Sequence, residues 1–213
     1  MHEIIITTTK EKTVTIEELH SLKKEAFKQW LEKGLNVAFA DDEYFGLYLQ
    51  DKVVFVAYDA ATGELLGMHN LKLYKNKGCA WGANLAVVPH AKRQGVATRM
   101  LEEEVRWLCK KGYRYLTGGT GTPATWSVRW HLKNGYRIVG YSRSELNNYA
   151  SYVFRKQIAY DIKHHPSDIL WLPYVAPITA CITYAVSYLV TRLCKTRSGR
   201  LNALGRLAKR LRT

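Results

Sequence analysis

The sequence is poor in proline and cysteine. Only 5 of its 213 residues are proline and 15 are glycine, which excludes collagen-like and low-complexity chains. Its four cysteines form no Cys-x-x-Cys pair and no Cys/His cluster at metal spacing, so we expect no disulfide framework and no metal site. The N-terminal segment lacks a basic stretch followed by an apolar run, so no secretion signal is expected. These absences predict a cytoplasmic protein with reduced thiols.

Acidic residues are also scarce, and their distribution is uneven. The chain has 32 Lys and Arg against 18 Asp and Glu, a formal net charge of +14. Residues 1–160 carry a net charge of +7, residues 161–190 carry −1, and residues 191–213 carry +8 with no acid at all. A hydrophobic content of 47% excludes a disordered basic chain. We therefore expect a folded domain over 1–160 and a hydrophobic, then basic, appendage over 161–213.

Hydrophobic periodicity predicts alternating helices and strands in the first 160 residues. Thr15 and Glu18 form a capping-box pattern at the start of the first helix. The predicted helices are 16–31, 96–111 and 124–134, and the predicted strands are 3–9, 53–58, 65–74, 79–88, 113–118, 136–142 and 148–158. The strands at 53–88 are separated by short turns, which predicts an antiparallel meander. The order indicates an α+β fold: a mixed, mostly antiparallel central sheet flanked by helices.

The segment most informative about chemistry runs from the strand at 79–88 through a short basic loop into the helix at 96–111. A helix N-terminus presents unpaired backbone N–H groups and the positive end of the helix dipole, which suits a pyrophosphate. Gly95 and Ala97 leave room for phosphate oxygens, Lys92 and Arg93 add charge, and Thr98 offers a hydroxyl. The loop matches neither the P-loop pattern nor the Rossmann fingerprint.

At this loop the sequence resembles the GNAT superfamily of N-acyltransferases. The family signature is [Arg/Gln]-x-x-Gly-x-[Gly/Ala] after a strand ending Leu-x-Val-x-Pro, and here it reads Lys-Arg-Gln-Gly-Val-Ala over 92–97 after Leu-Ala-Val-Val-Pro over 85–89. Lys92 keeps the charge of the first position but not the guanidinium. A second match is the pair Gly135-Tyr136, which follows a helix and opens a strand as in family members. The resemblance covers about residues 3–158.

The resemblance implies a sheet that holds acetyl-CoA, as cosubstrate, in a V-shaped cleft between its fourth and fifth strands. Backbone groups near Leu85 and Val87 would bond the pantetheine arm. The pyrophosphate would bind the loop formed by Lys92, Arg93, Gln94, Gly95, Val96, Ala97 and Thr98. An amine would attack the thioester directly, with no covalent enzyme intermediate, and a strand N–H would hold the oxyanion.

Besides Lys92, two positions depart from the family pattern. His131, four residues before Gly135, stands where the family usually has a tyrosine that protonates the leaving thiolate. An imidazolium suits that role because its pKa lies near neutrality, while the alternative is a histidine packed under the cleft. Asn84 stands where many relatives carry a carboxylate that helps deprotonate the amine, and asparagine cannot act as a base. His69, Glu43, His90 or bulk water are the remaining candidates for the base.

The appendage contains 22 uncharged residues over 169–190, interrupted by Pro173 and Pro177. A helix from Pro177 would have one apolar face, and a basic amphipathic pattern follows Gly199. These patterns predict attachment to an anionic membrane surface through 169–213. One alternative is that the helices pack on the domain or on a second copy in a homodimer. The other is a true membrane span.

Three functions are compatible with the sequence. The first is an N-acetyltransferase that transfers acetyl from acetyl-CoA to a primary amine of a small molecule or peptide. The second is an N-acyltransferase that uses long-chain acyl-CoA or acyl carrier protein, peripheral on the cytoplasmic face of a membrane. The third is a non-catalytic basic binding module. Nucleic acid is the less favoured partner, because the basic residues of the tail alternate with leucines at helical spacing.

Overall fold

A computed structural model of the protein describes residues 3–32, 42–122, 124–143 and 150–159, together with Ile178, Cys181, Ile182 and Ala185. The strands are β1 (Ile4–Thr8), β2 (Lys52–Asp59), β3 (Leu65–Tyr74), β4 (Cys79–Val87), β5 (Tyr115–Gly121), β6 (Arg137–Arg143) and β7 (Ala150–Gln157). The helices are α1 (Ile16–Ala26), α2 (Lys28–Leu31), α3 (Asp42–Leu49), α4 (Val96–Lys110) and α5 (Thr125–Lys133). Short 3₁₀ turns precede β4 and follow it.

The strands form one seven-stranded sheet in the order β1-β2-β3-β4-β5-β7-β6. Neighbouring strands are antiparallel except β4 and β5, which are parallel. Consecutive residues from Leu66 to Leu71 in β3 are all buried, so both faces of the sheet are covered at its centre. α4 packs on the face of Gly67, where Met100 and Val96 approach, and α1 packs across β3 and β4.

The mixed sheet flanked by helices confirms the predicted fold class. β2, β3 and β4 form the predicted antiparallel meander. The capping box is present, since the Thr15 side chain accepts a hydrogen bond from the Glu18 N–H and the Glu18 carboxylate accepts one from the Thr15 N–H.

The prediction of one helix over 16–31 was wrong. α1 ends at Ala26, Phe27 leaves helical geometry with φ −108°, and α2 begins at Lys28. Helix α3 was not predicted, because Gly46 interrupts its pattern and its formation depends on tertiary packing of the fully buried Phe45. Strand β5 extends to Gly121 because its glycine-rich end pairs with β7 as far as Ser151.

The predicted appendage lies almost wholly outside the described residues, so its separation at residue 160 stays a prediction. Its four described residues are helical and have exposed side chains. Within the part of the chain that the structure describes, no helix has both the length and the apolar character needed to span a membrane.

Candidate active site at the splay of two strands

The sheet opens between its two parallel strands. β4 and β5 pair from Cys79 with Tyr115 to Gly82 with Gly118, and in the described residues this pairing goes no further although both strands continue. The two strands therefore diverge beyond Gly82 and Gly118 and leave a V-shaped opening. A Cβ on Gly118 would lie 3.3 Å from the Gly82 carbonyl oxygen, so glycine keeps the apex narrow.

A bulge in β4 lies beside the opening. His69 of β3 stands opposite two residues of β4, Asn84 and Leu85, and Asn84 has φ 55°, a left-handed conformation that asparagine tolerates better than most residues. Its Nδ2 donates to Oδ1 of the fully buried Asn70 at 2.9 Å. The bulge locally disrupts the ladder with β3. On the other side of β4 the described pairing with β5 ends at Gly82, which leaves the stretch from Leu85 to Val87 suited to bonding an extended ligand on that side.

The basic loop leads directly into α4. Arg93 and Gly95 have φ of 65° and 84°, and no side chain caps the helix. The first intrahelical bond runs from the Arg99 N–H to the Gly95 oxygen at 2.9 Å, so the preceding amides at the helix start are not used by the helix. A Cβ on Gly95 would meet nothing within 4 Å. The loop thus presents backbone N–H groups on an open surface, as an anion site requires.

The loop side chains are placed unevenly around these amides. Arg93 is exposed, whereas Ala97 and Thr98 are half-buried and Val96 is buried. Lys92 Nζ lies 3.3 Å from the Ala26 carbonyl oxygen at the end of α1.

Gln94 Nε2 donates to the His90 carbonyl at 2.8 Å. Lys92 therefore ties the loop to the end of α1, and Gln94 ties it to the turn that precedes it.

His131 is held by α5 and by aromatic rings. Its Nδ1 lies 2.7 Å from the Ser127 carbonyl oxygen, which makes Nδ1 the protonated nitrogen of the neutral ring. The ring stacks on Phe154 with centroids 4.6 Å apart and meets Trp130 and Tyr136 edge-on. Nε2 is consequently the nitrogen left to accept a proton.

Burial lowers the pKa of His131 to about 4, with a smaller contribution from the charge of His69 in the same direction and an opposing one from the Ser127 carbonyl. At neutral pH the ring is therefore neutral. The role of His131 as a proton donor stays a prediction, and it requires that a proton reach Nε2 during the reaction.

The three residues proposed as the base lie in different parts of the fold. His69 lies near the apex, its side chain 9% exposed, with Nδ1 2.9 Å from both carboxylate oxygens of Glu104. His90 is exposed and pairs with Glu64 at 3.2 Å. Glu43 belongs to α3, and its side chain lies outside the described residues.

Sequence reasoning missed Glu104, which is fully buried. It is the last of three consecutive glutamates and looks like part of a solvated face. Its spacing indicates burial, because Glu104 lies four residues after Met100 and four before Leu108, on the buried face of α4. An acid on a buried stripe is the signal that could have identified it.

A cavity of about 560 Å³ lies at the other end of α4, away from these residues. It is lined by Lys10, Val53, Leu73, Lys75, Gly78, Trp107, Lys111, Gly112 and Tyr113. None of the predicted site residues borders it.

Comparison with known proteins gives the family. The model of the Acetyltransferase (GNAT) family matches residues 16–136, more than half of the chain. The chain belongs to the GNAT acetyltransferase family. Membership confirms the enzyme class predicted from the motifs, an acyl-CoA-dependent N-acyltransferase. No curated protein matches the sequence.

Solved structures share the fold of this GNAT protein. The ribosomal-protein-S18-alanine N-acetyltransferase of Escherichia coli superposes with a TM-score of 0.59 at 14% identity, covering 76% of this chain and all of that one. A GNAT acetyltransferase from Elizabethkingia anophelis with acetyl-CoA bound gives 0.56 at 18% identity, covering 72% and 97%. An aminoglycoside 6′-N-acetyltransferase complexed with coenzyme A gives 0.57 at 16% identity, covering 75% and 99%.

Proposed function

We propose that this GNAT protein transfers the acetyl group of acetyl-CoA to a primary amine of a small molecule or peptide. The observation that carries the proposal is the V-shaped opening between β4 and β5, set beside the uncapped N-terminus of α4. The opening suits an extended pantetheine arm, and the helix start suits a pyrophosphate. Structural relatives with acetyl-CoA or coenzyme A bound support this choice of donor.

The residues of the chain divide the binding of the donor between them. The loop residues Lys92, Arg93, Gln94, Gly95, Val96, Ala97 and Thr98 hold the pyrophosphate, chiefly through backbone N–H groups. Backbone groups of Leu85 and Val87 bond the pantetheine arm and place the thioester at the apex. Asn84, held by its hydrogen bond to Asn70, lies in the bulge of β4 directly before these backbone groups and helps to fix their direction.

In the proposed reaction the amine attacks the thioester directly, without a covalent enzyme intermediate. The amine nitrogen forms a bond to the thioester carbon, the oxyanion is held by a strand N–H, and the carbon–sulfur bond breaks. His131 Nε2 passes a proton to the departing thiolate, and the nitrogen loses its proton to water. The products are an amide and free coenzyme A.

The nature of the acceptor is proposed from relatives. The printed substrates of two structural neighbours, an N-terminal alanine and an aminoglycoside, both offer a primary amine. A primary amine is therefore the acceptor class, in either a peptide or a small molecule.

An acceptor screen scored by release of free coenzyme A thiol tests the proposal. Acetyl-CoA and a long-chain acyl-CoA are supplied in parallel to panels of peptide and small-molecule amines. We expect amine-dependent thiol release with acetyl-CoA and formation of an equal amount of acetylated amine. Thiol release with none of the amines would contradict the proposal.

Replacement of His131 by Phe should lower turnover about 100-fold, because the leaving thiolate would lose its proton donor. Unchanged turnover with an unchanged pH profile would exclude His131 as the acid.

A second candidate uses a long acyl donor at a membrane, and the uncharged run at 169–190 followed by the +8 tail favours it. In that case the protein lies on the anionic cytoplasmic face of the membrane, and the long-chain donor is preferred in the same screen. A homodimer formed through this appendage is the competing use of its apolar residues, and sedimentation of the full chain distinguishes it.

A further inference from the structure

The cavity at the C-terminal end of α4 is separate from the proposed donor site. Helix α4 is 15 residues long, so its two ends lie about 21 Å apart. The cavity has a volume of about 560 Å³, which falls within the range of small-molecule sites. None of residues 84–98 borders it. A ligand bound here would therefore leave the opening between β4 and β5 free.

The wall of the cavity is largely apolar and aromatic. Val53 of β2, Leu73 of β3 and Trp107 of α4 line it, together with Tyr113, which follows α4. Tyr113 is 5% exposed and the other three side chains are half-buried. The Trp107 ring packs edge-on against the buried Phe55, with ring centroids 5.8 Å apart. Because these contacts hold the wall in place, a ligand meets a surface that is already formed.

Three lysines from separate segments border the same cavity. Lys10 follows β1, Lys75 follows β3 and Lys111 follows α4, and all three are exposed. Among the described residues, none of these lysines makes an ion pair and no acidic side chain lines the cavity. Like charges brought together without a counter-ion repel one another. The cluster therefore favours a ligand with negative charge.

The end of α4 opposes this positive charge only weakly. A helix C-terminus carries about half a negative charge. Its last carbonyl oxygens already accept hydrogen bonds from the backbone N–H groups of Lys111, Gly112 and Tyr113. Three lysines outweigh half a charge, so the cavity remains electropositive. Lys111 Nζ also lies 5.7 Å from the centroid of the Trp107 ring, which brings the charged and aromatic parts of the cavity together.

The hydroxyl of Tyr113 adds a polar group to this wall. It is buried and has no hydrogen-bond partner among the described residues. Burial raises the pKa of Tyr113, so the hydroxyl is protonated at neutral pH and can donate a hydrogen bond. Buried hydroxyl groups normally have a partner. An acceptor atom of a ligand in the cavity would provide one.

We propose that this cavity is a second ligand site, which binds an organic anion with a flat apolar body. The anionic group lies among Lys10, Lys75 and Lys111, and the body packs against the rings of Trp107 and Tyr113. Aromatic carboxylates and sulfonates have this combination of charge and shape. The site does not require acetyl transfer, because it lies at the opposite end of α4 from the proposed donor site.

Calorimetric titration of the full chain with naphthalene-2-sulfonate tests the site, because this probe is ionised at neutral pH and has a flat apolar body. We expect a Kd of about 0.1 to 1 mM, ordinary for a ligand of this size. Naphthalene-2-sulfonamide has the same body without the charge, and sulfate has the charge without the body. We expect each to bind about 10-fold more weakly. Equal affinity of the sulfonamide would overturn the proposal.

A titration with saturating coenzyme A present separates this cavity from the proposed donor site. The two sites lie at opposite ends of α4, so we expect the Kd of naphthalene-2-sulfonate to stay the same. Displacement of the probe by coenzyme A would place the probe in the donor site and overturn the proposal.

Exchange of lysines locates the bound probe. One variant combines Lys10→Gln, Lys75→Gln and Lys111→Gln. The matched control makes the same change in net charge at three exposed lysines that do not border the cavity, Lys28→Gln, Lys110→Gln and Lys133→Gln. We expect the first variant to raise the Kd of the probe about 10-fold and the control to change it less than twofold. Equal effects would show that the probe responds to overall charge, and would overturn the proposal.

Two single variants keep the test decisive if a triple variant does not fold. Lys111 and Lys110 are adjacent and both exposed, but only Lys111 borders the cavity. We expect Lys111→Gln to raise the Kd of the probe about threefold and Lys110→Gln to leave it unchanged. Because binding is measured rather than turnover, the outcomes are distinguishable. Failure of the probe to bind overturns this site alone, and failure of thiol release overturns the proposed function alone.

Discussion

Burial lowers the pKa of His131, and the shift contributes to the free energy of unfolding in a pH-dependent way that can be measured. Its pKa is about 4 in the folded protein and about 6.5 in the unfolded chain, so folding favours the neutral ring. The stabilisation is complete above pH 6.5 and is lost as the pH falls towards 4. The difference amounts to at most about 3 kcal/mol.

We therefore expect the free energy of unfolding of the unmodified protein to fall more steeply between pH 7 and pH 4 than that of His131→Phe, by about 2 to 3 kcal/mol. Urea denaturation at several pH values measures it. His90→Gln, at an exposed histidine, is the control and should follow the unmodified protein. Equal slopes for all three proteins would show that His131 is not buried as a neutral ring.

Gly82 tests the placement of His69 with a single methyl group. A Cβ at this position would lie 2.6 Å from the imidazole and must displace it. We expect Gly82→Ala to lower kcat at least 10-fold and to destabilise the fold by about 1 to 3 kcal/mol.

Gly119→Ala is the matched control for this change. A Cβ at Gly119 would have its nearest neighbour at 3.5 Å, an ordinary contact. We expect thiol release and thermal unfolding close to those of the unmodified protein. Equal behaviour of the two variants would contradict the position assigned to His69.

At the scale of elements, the N-terminus of α4 is the proposed anion site. Reversing charge there should oppose the pyrophosphate, whereas the same reversal at the other end of the helix, about 21 Å away, should be screened by salt. We expect Arg93→Glu to raise the Kd for coenzyme A about 10-fold and Lys110→Glu to change it less than twofold. Calorimetry at 0.15 M salt measures both, and equal effects would show that overall charge, not the loop, attracts the ligand.

The elements differ in how far sequence alone could predict them. α4 and the meander were predictable because hydrophobic period and turn residues agree locally over 53–110. α3 was not, since its formation depends on Phe45 entering a core that the local sequence does not specify. The loop at 92–98 could be located from its glycine and its charges. The pairing of His69 with Glu104 could not be predicted, because the two residues are 35 positions apart and meet only where α4 packs on β3.

At the scale of the whole molecule, the net charge of +14 separates into two parts. The charge on the domain includes Lys92 and Arg93 of the proposed anion-binding loop, while the +8 on residues 191–213 alternates with leucines and is proposed to meet an anionic surface. We expect the full chain to sediment with vesicles that contain anionic lipid at low salt, and a chain lacking 167–213 to remain in the supernatant. Neutral vesicles are the control. A full chain that stays in the supernatant at low salt would contradict membrane attachment.

Acetyl transfer at the splay of β4 and β5 is tested most directly by amine-dependent release of coenzyme A thiol from acetyl-CoA by the unmodified protein. The account predicts release that depends on both substrates, with one acetylated amine formed per thiol. Binding of acetyl-CoA without thiol release above the spontaneous rate, across peptide and small-molecule amines, would contradict it.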